Sequence, residues 1–569
     1  MKNSQISDIF REISRMLEIK GDNPFRIRAY ERAAQNIGSL TEDIEIVARE
    51  NRLTEIPGIG KDLSSAIKEF LEKGKMKRYE SLKKSLPQGL LELLRIPTLG
   101  PKTVKLLYDQ LKITGIVSLK TAIKKYKLTG IYGIKEKTVE NILKGIEFVE
   151  KGKERMYLAQ ANAIAQDFIG YLEGIPQAHK ICPAGSLRRK KETVRDIDIL
   201  ALSDKPVKLM QAFSRAPLVK EVLSHGETKS SVRTTGDVQV DCRVVEDKSF
   251  GAALIYFTGS KNFNIKLRQL AIRKGLKINE YGVFKGKSFL CGETEEEVFK
   301  LLGMSYIEPE LREDSGEIEL AQKGKLPRLI NSQDLQGDLH VHSSWSDGEN
   351  TIEEMALACR RKGYSYVAIT DHSRSLKIAG GLSINDLKKK KKEVYKINKK
   401  LKGLRVLYAT EVDIDSEGLI DYPDNVLKEF DVVIAAIHSG FKQSCAQLTR
   451  RITRACNNKY VHILAHPTGR LWGTREAYEI NIQEVLKAAK ETNTALEINS
   501  FPQRLDLNDM HSRQAKEMGV RMALDTDAHI AAQLENITLG VSVARRAWLS
   551  KEDVLNTLSL EDLLQKIKK

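Results

Sequence analysis

Cysteine is scarce in this chain: there are six in 569 residues, and no two form a CxxC pair. Cys182, Cys242, Cys291, Cys359, Cys445 and Cys456 lie mostly within apolar runs. That pattern argues against a disulfide framework or zinc knuckle and for reduced, buried thiols in a cytosolic protein. Long apolar runs are missing as well. No segment approaches the roughly eighteen consecutive apolar residues of a membrane span, and the N-terminus lacks a signal-peptide apolar core. Cytoplasm, with no membrane partner, is the expectation. Aromatics make up only 6%, but hydrophobic residues at 41% suffice to bury real cores. At this length several domains are expected.

Acidic residues fall short of basic ones, and unevenly. Residues 1–335 hold 58 Lys and Arg against 45 Asp and Glu, and 336–569 hold 35 against 31. Residues 51–150 alone hold 20 against 11. A basic excess concentrated in one half points to a polyanion, most simply nucleic acid.

What the chain does have is histidine at repeated strand ends. Apolar runs end in His372 (YVAITDH), Glu411 (VLYATE), His438 (VVIAAIH), His466 (HILAH) and Asp527 with His529 (MALDTDAH), while DLHVH puts His340 and His342 on one strand face. A spacing of about thirty residues is what strand, loop, helix and loop require. In a parallel β/α barrel these side chains, with Asp347, meet at one mouth. Imidazole and carboxylate together suit Zn²⁺, Mn²⁺ or Fe, and nine ligands exceed the needs of one ion, so two or three are expected. Asp371, beside His372, reads as a residue that orients ligands. Arg470 and Arg504 are candidates to hold a substrate phosphate or, equally, surface residues.

Two further patterns lie upstream. Residues 1–150 read as helical and contain three similar turns, LTEIPGIGKDLSSAI, LLRIPTLGPKTVKLL and LTGIYGIKEKTVENI. Gly58 and Gly60 offer positive φ and close backbone approach, and the helix that follows presents free N–H groups to an anion. Repetition in a basic region suits contacts to DNA backbone. From about 151 the pattern becomes mixed α/β. In GSLRRKKETVRDIDIL, Asp196 and Asp198 leave one strand face while Ile197 and Ile199 point to the core, and DVQVDCRVV supplies Asp241. Three carboxylates on adjacent strands make a hard oxygen site for two Mg²⁺ ions. Gly185 and Ser186 open a turn able to cradle phosphate, with Arg188 and Arg189 as donors. Tyr256, Phe257 and Gly259 offer an aromatic wall and a close approach, and Asn264 and Arg268 share a helix face. An acidic, loop-like stretch at about 308–329 reads as the interdomain linker.

On these residues the chain resembles the bacterial and archaeal family X DNA polymerases that carry a C-terminal PHP (polymerase and histidinol phosphatase) domain. The resemblance implies a multidomain fold: an all-α helix-hairpin-helix region, an α/β nucleotidyltransferase palm and thumb like polymerase β, and a (β/α)7 PHP barrel. Implied boundaries are 1–82 (lyase-like), 83–150 (fingers), 151–249 (palm), 250–315 (thumb), 316–335 (linker) and 336–569 (barrel). It makes Asp196, Asp198 and Asp241 the catalytic, Mg²⁺-binding carboxylates. Gly185, Ser186 and Arg189 would bind the triphosphate, Tyr256, Phe257, Gly259 and Asn264 would line the nucleotide pocket, and Arg268 would reach the template side. Gly58, Gly60, Leu99 and Gly100 would hold DNA backbone. His340, His342, Asp347, His372, Glu411, His438, His466, Asp527 and His529 would hold up to three Mn²⁺ or Zn²⁺ ions. The implied activity is filling of short gaps in DNA repair, joined to a metal-dependent 3′–5′ exonuclease or phosphoesterase that processes DNA 3′ ends. Partners would be gapped or primer-template DNA and deoxynucleoside triphosphates, in a cytoplasmic, nucleoid-associated monomer.

The chain departs from the family in four places. Ala66 stands where lyase-active relatives carry a Schiff-base lysine, and Lys61 and Lys68 are poorer substitutes, so a lyase activity is not implied. Val194 and Arg195 replace small residues, Lys261 replaces an acidic one and Lys190 replaces a glycine. No catalytic carboxylate is lost. Two alternatives stay open: a polymerase-inactive DNA-binding protein retaining only the barrel nuclease, or a barrel acting as a small-molecule phosphatase.

Overall fold

A computed structural model describes the chain except residues 1, 39–43, 57, 88, 95, 97–98, 126–127, 129–130, 132–133, 135–137, 140–141, 144–145, 147–154, 473–474 and 476. The chain forms two compact units, Met1–Arg155 and Met156–Lys569. Among the described residues no helix is long and apolar enough to cross a membrane. The cysteines are free; Cys242, Cys359 and Cys456 are buried, and the other three are half-buried.

The first unit is helical because its apolar residues recur at helical spacing. In Lys2–Lys20, Ile6, Phe10, Ile13 and Leu17 form one buried stripe, and Phe10 meets Tyr30 of Pro24–Gly38 edge-on at 5.4 Å. A first core gathers these residues with Leu53, Ile59, Leu63 and Ile67. A second joins Leu90, Leu93, Val104, Leu107 and Leu119. Each core wraps one glycine turn, at Gly58–Gly60 and at Leu99–Gly100. The third turn, at 128–142, lies largely outside the described residues.

The second unit begins with a five-stranded sheet. Its order is Ala178–Pro183, Asp196–Ser203, Gln239–Val245, Lys229–Thr234, Val219–His225. Alternation decides its faces: Ile197, Ile199, Val240 and Cys242 are buried against helices Leu158–Glu173 and Pro206–Ser214. Burying side chains of this kind contributes about 1.5–3 kcal/mol each, and Phe168→Ala in the same core would cost about 3–5 kcal/mol. Helices Phe250–Thr258 and Lys261–Arg273, a three-stranded antiparallel sheet at 277–291 and helix Glu295–Leu301 follow.

The C-terminal part is a seven-stranded, all-parallel sheet in sequential order from Gly337–Val341 to Met522–Asp525. It nearly closes on itself: Val341 bridges Ala528, and the Leu339 amide donates to the Asp525 carboxylate at 2.8 Å. Leu339, Ala368, Ala409, Ile434 and Ile463 fill the interior. One hydrophobic cluster runs without a break from Ile197 of the first sheet and Phe168 of the helix packed on it to Val412 and Ile498 of the barrel.

The stretch at 308–329 is not loop-like. It contains a 3₁₀ turn at Pro309–Leu311 and a helix at Glu317–Gln322, and Arg312 is fully buried. Its acidic residues serve partners. Glu310 binds Arg545 at 2.7 Å, Glu313 binds Arg546 at 3.0 Å, and Glu317 accepts from the Asp314 and Ser315 amides. Acidic composition alone cannot tell such a packed strap from a solvated linker.

Candidate active sites

Strand register sets the first site. Asp196–Ser203 runs parallel to Gln239–Val245 with Asp198 directly opposite Asp241, and Asp196 two residues earlier on the same face. Gly185 completes the floor. Its φ is +61°, and a Cβ there would sit 2.2 Å from Asp198 Oδ2, so only glycine fits. Gln239 Nε2 donates to both Asp241 oxygens at 3.2 and 3.1 Å. Burial, then the charges of Asp196 and Asp241, push Asp198 up to about 7. Carboxylates this crowded call for cations, and hard oxygen donors suit Mg²⁺.

The remaining residues of this region divide. Tyr256 and Phe257 stack edge-on at 5.0 Å, Asn264 donates to the Tyr256 carbonyl at 2.7 Å, and Arg268 donates to the Asn264 carbonyl at 3.2 Å. Ser186 stands half-buried in the short helix Gly185–Arg188. Arg189 lies against Gly259, whose added Cβ would be 3.2 Å from its guanidinium, and it donates to the Thr258 carbonyl. Arg188 does not face this site. Glu295 takes it in two hydrogen bonds of 2.8 and 2.6 Å, and Thr258 takes a third at 2.8 Å. Arg195 reaches toward Asp196 at 3.5 Å.

At the glycine turns, Gly58 has φ +82° and packs against Arg32, whereas Gly60 and Gly100 have φ −86° and −85°. Positive φ is therefore needed at Gly58 and not at Gly60. Gly60 and Gly100 instead stand as N-caps of Lys61–Lys73 and Pro101–Leu111, with no side-chain cap and no atom within 4 Å of an added Cβ. Both helix ends leave their amides open to a phosphate. Leu99 is buried beneath the second turn. Ala66 packs on the first core.

The second site stands at the C-terminal mouth of the barrel. Its ligand-type atoms fall into three sets, each within 4.8 Å: His342, Asp347, His372 and His529; His340, His342 and Asp527; His372, Glu411 and His438. His466 joins through Glu411 at 3.0 Å. His340 Nε2 and His342 Nε2 lie 3.1 Å apart, and Glu411 contacts His372 at 2.8 Å and His438 at 3.3 Å. Nδ1 of His342 and of His466 is buried without a hydrogen-bond partner, and His372 Nδ1 has only the Glu411 carboxylate beside it. Unpartnered buried imidazole nitrogens beside carboxylates fit a multi-ion centre.

Buried acids hold these imidazoles in place, and two of them escape sequence reasoning. Glu497 takes His340 Nδ1 at 2.6 Å and also accepts the His466 amide, while Asp413 takes His438 Nδ1 at 2.9 Å. Their only sequence signal is a carboxylate inside an apolar strand, in ALEIN and in TEVD. Asn499 donates to Asp527 at 3.1 Å. Asp371 contacts no metal set; it binds Lys390 at 2.8 Å and the Ser343 and Ser346 hydroxyls, which fixes the loop after His342. Arg504 points at the site, with Nε 3.6 Å from Asp527 and Nη1 buried and unpartnered. Arg470 does not: Glu192 takes it at 3.0 and 2.7 Å, and it donates to the Arg504 carbonyl at 2.6 Å.

Comparison with known proteins matches four segments of the chain. A helix-hairpin-helix domain profile matches residues 1–76, a SAM-like helix-hairpin-helix tandem 90–147, a DNA polymerase beta thumb 253–313 and a PHP domain 338–501. The DNA polymerase/3′-5′ exonuclease PolX of Bacillus subtilis is 40% identical over 99% of this chain and 99% of its own. The chain belongs to the PolX family. Probable phosphatases of Thermoanaerobacter and Caldanaerobacter subterraneus are 32% and 33% identical over 39% of this chain, covering 89% and 86% of their own lengths. They match only the PHP part of this PolX-family chain.

Proposed function

We propose that this chain is a DNA-directed DNA polymerase that fills short gaps in DNA repair, and that its barrel is a 3′–5′ exonuclease acting on DNA 3′ ends. The reading rests on Asp198 facing Asp241 across adjacent strands in a chain whose barrel gathers six imidazoles and three carboxylates. Full-length similarity to PolX supports it. We assign 1–82 and 83–150 to DNA backbone binding, 151–249 and 250–315 to palm and thumb, 316–335 to the connection and 336–569 to the nuclease. The DNA substrate places the protein in the cytoplasm at the nucleoid.

Divalent cations (Mg²⁺ at the aspartates, up to three Mn²⁺ or Zn²⁺ ions in the barrel) supply an acidified attacking oxygen and neutralise charge on the phosphoryl group. The side chains do the rest. Asp196, Asp198 and Asp241 fix where the primer 3′-hydroxyl and the α-phosphate meet. Ser186, Gly185 and Arg189 hold the β- and γ-phosphates. Tyr256, Phe257, Gly259 and Asn264 line the pocket for the nucleotide, and Arg268 reaches the template side. In the barrel, Arg504 holds the scissile phosphate beside Asp527 while Glu497 and Asp413 keep the imidazoles aimed. With Ala66 in place of an amine, no lyase step is assigned.

The test is incubation with gapped DNA. With Mn²⁺ and no nucleotides, wild type and Asp198→Ala should shorten the primer and His342→Ala should not. With Mg²⁺ and nucleotides, only Asp198→Ala should fail to extend it. Extension by Asp198→Ala at the wild-type rate would sink the polymerase assignment. The phosphatase relatives favour a second reading of the barrel, as a small-molecule phosphatase. That reading wins if His342→Ala keeps 3′-end shortening but loses hydrolysis of nucleotide or sugar phosphates.

A further inference from the structure

The turn that presents Arg189 is fastened to the barrel at two points. Glu313 Oε1 accepts from Arg189 Nε at 3.0 Å and from Arg546 Nη1 at 3.0 Å, and Lys191 Nζ lies 3.3 Å away. Arg546 belongs to the barrel helix Ile537–Arg546. It also donates to the Arg189 backbone carbonyl at 2.8 Å and is held from behind by Asp509 at 2.7 Å. Two residues beyond Lys190, Glu192 makes its two-pronged pair with barrel Arg470. Arg546 and Arg470 are 7% and 9% exposed, so water screens neither contact well.

We propose that Glu313 and Arg546 are positioning residues for the triphosphate of the incoming nucleotide, so that the nuclease barrel is also part of the polymerase's nucleotide site. The inference rests on the assignment of Arg189 to the triphosphate. Left to itself, an arginine on a tight turn samples many rotamers, and binding would have to order it. Here Glu313 draws its guanidinium to the Thr258–Gly259 backbone, where the nucleotide pocket opens. Glu313 cannot do this alone, since it sits on a connecting strap. Arg546 fixes Glu313 through one guanidinium nitrogen and the Arg189 main chain through the same nitrogen. The local balance is three cations (Arg189, Lys191, Arg546) against two carboxylates (Glu313, Asp509), so neutralising Glu313 leaves like charges together. Losing either residue should loosen Arg189 in the free enzyme. Once the triphosphate is bound it orders the guanidinium itself, so the loss falls on binding more than on turnover.

The test measures nucleotide affinity on gapped DNA with a dideoxy-terminated primer in Mg²⁺, alongside steady-state gap filling. Arg546→Met and the near-isosteric Glu313→Gln should each raise the nucleotide Kd and KM by roughly 5- to 20-fold, with kcat within about threefold of wild type. Primer shortening without nucleotides should stay at the wild-type rate, which a generally loosened fold would not allow. In an Arg189→Ala background, Arg546→Met should add nothing further to the Kd. Unchanged Kd in both single variants, an equal rise in the Arg189→Ala background, or parallel loss of kcat and nuclease activity would overturn the proposal. A wild type that neither binds nor incorporates nucleotide would instead remove the polymerase reading on which the link depends.

Discussion

Asp196, Asp198 and Asp241 sit on open strands, with the Asp196 side chain 37% exposed and one amide donor, Gln239, behind Asp241. In the barrel, His340, His342 and Glu411 are at most 1% exposed, and Glu497, Asp413 and Asn499 stand behind the ligands. The aspartate site offers few donors, all of them oxygen. The barrel offers nitrogen and oxygen donors in excess, and His340, His438 and Asp527 each have a side chain behind them that holds them. On the proposed function, this difference would separate a site that acquires its ions together with a nucleotide from one that keeps them.

The largest expected effect tests that separation directly. After gel filtration in metal-free buffer, elemental analysis should find transition metal on the wild type and on Asp198→Ala, and far less on Glu411→Ala. The same Glu411→Ala protein should lose nuclease activity by about a thousandfold, since metal-borne stabilisation of several kcal/mol is removed. Equal metal content in all three proteins would break the comparison.

Glu497→Gln sharpens it. The amide keeps the size of the side chain but cannot hold His340 Nδ1–H as a charged acceptor. Nuclease activity or metal affinity should fall by about 10- to 100-fold, as for other residues that orient metal-bound histidines. Gap filling should not change. A variant indistinguishable from wild type in metal titration would show that the buried acid serves packing alone.

That Glu497 went unseen while His340 and His342 did not has a physical basis. Strand ends are legible because alternation and spacing repeat, so the run endings at His372, Glu411, His438, His466 and His529 announce one barrel mouth. A single acid inside ALEIN carries no periodicity, and its meaning lies in a ring nitrogen 157 residues away. The same limit explains the arginines. Arg188 and Arg470 look like phosphate donors until their carboxylates appear, 107 and 278 residues distant. Asp196, Asp198 and Asp241 were readable because strand alternation alone sets which face they share. Packing of the 308–329 strap was not, because the partners of Glu310, Arg312 and Glu313 lie in other parts of the chain.

The smallest effect concerns how the thumb is joined to the helix Gly185–Arg188. Glu295 lies between Arg188 and Arg312 at 2.6 Å from each, in a junction held by charge, unlike the barrel interior. Burial alone would raise this carboxyl; the charge of Arg312 and the hydrogen bonds from Arg188 and Arg312 outweigh it and hold the group down at about 2. A carboxyl depressed in the folded state stabilises the fold above its ordinary value near 4.5 and loses that contribution as pH falls toward 2. The contribution amounts to about 3 kcal/mol. Glu295→Gln should therefore be less stable than wild type near neutral pH, with the gap closing between about pH 4.5 and pH 2 in urea titrations. A gap constant across that range would mean that the two arginines are satisfied by the amide as well as by the charge, and that the junction is held by shape.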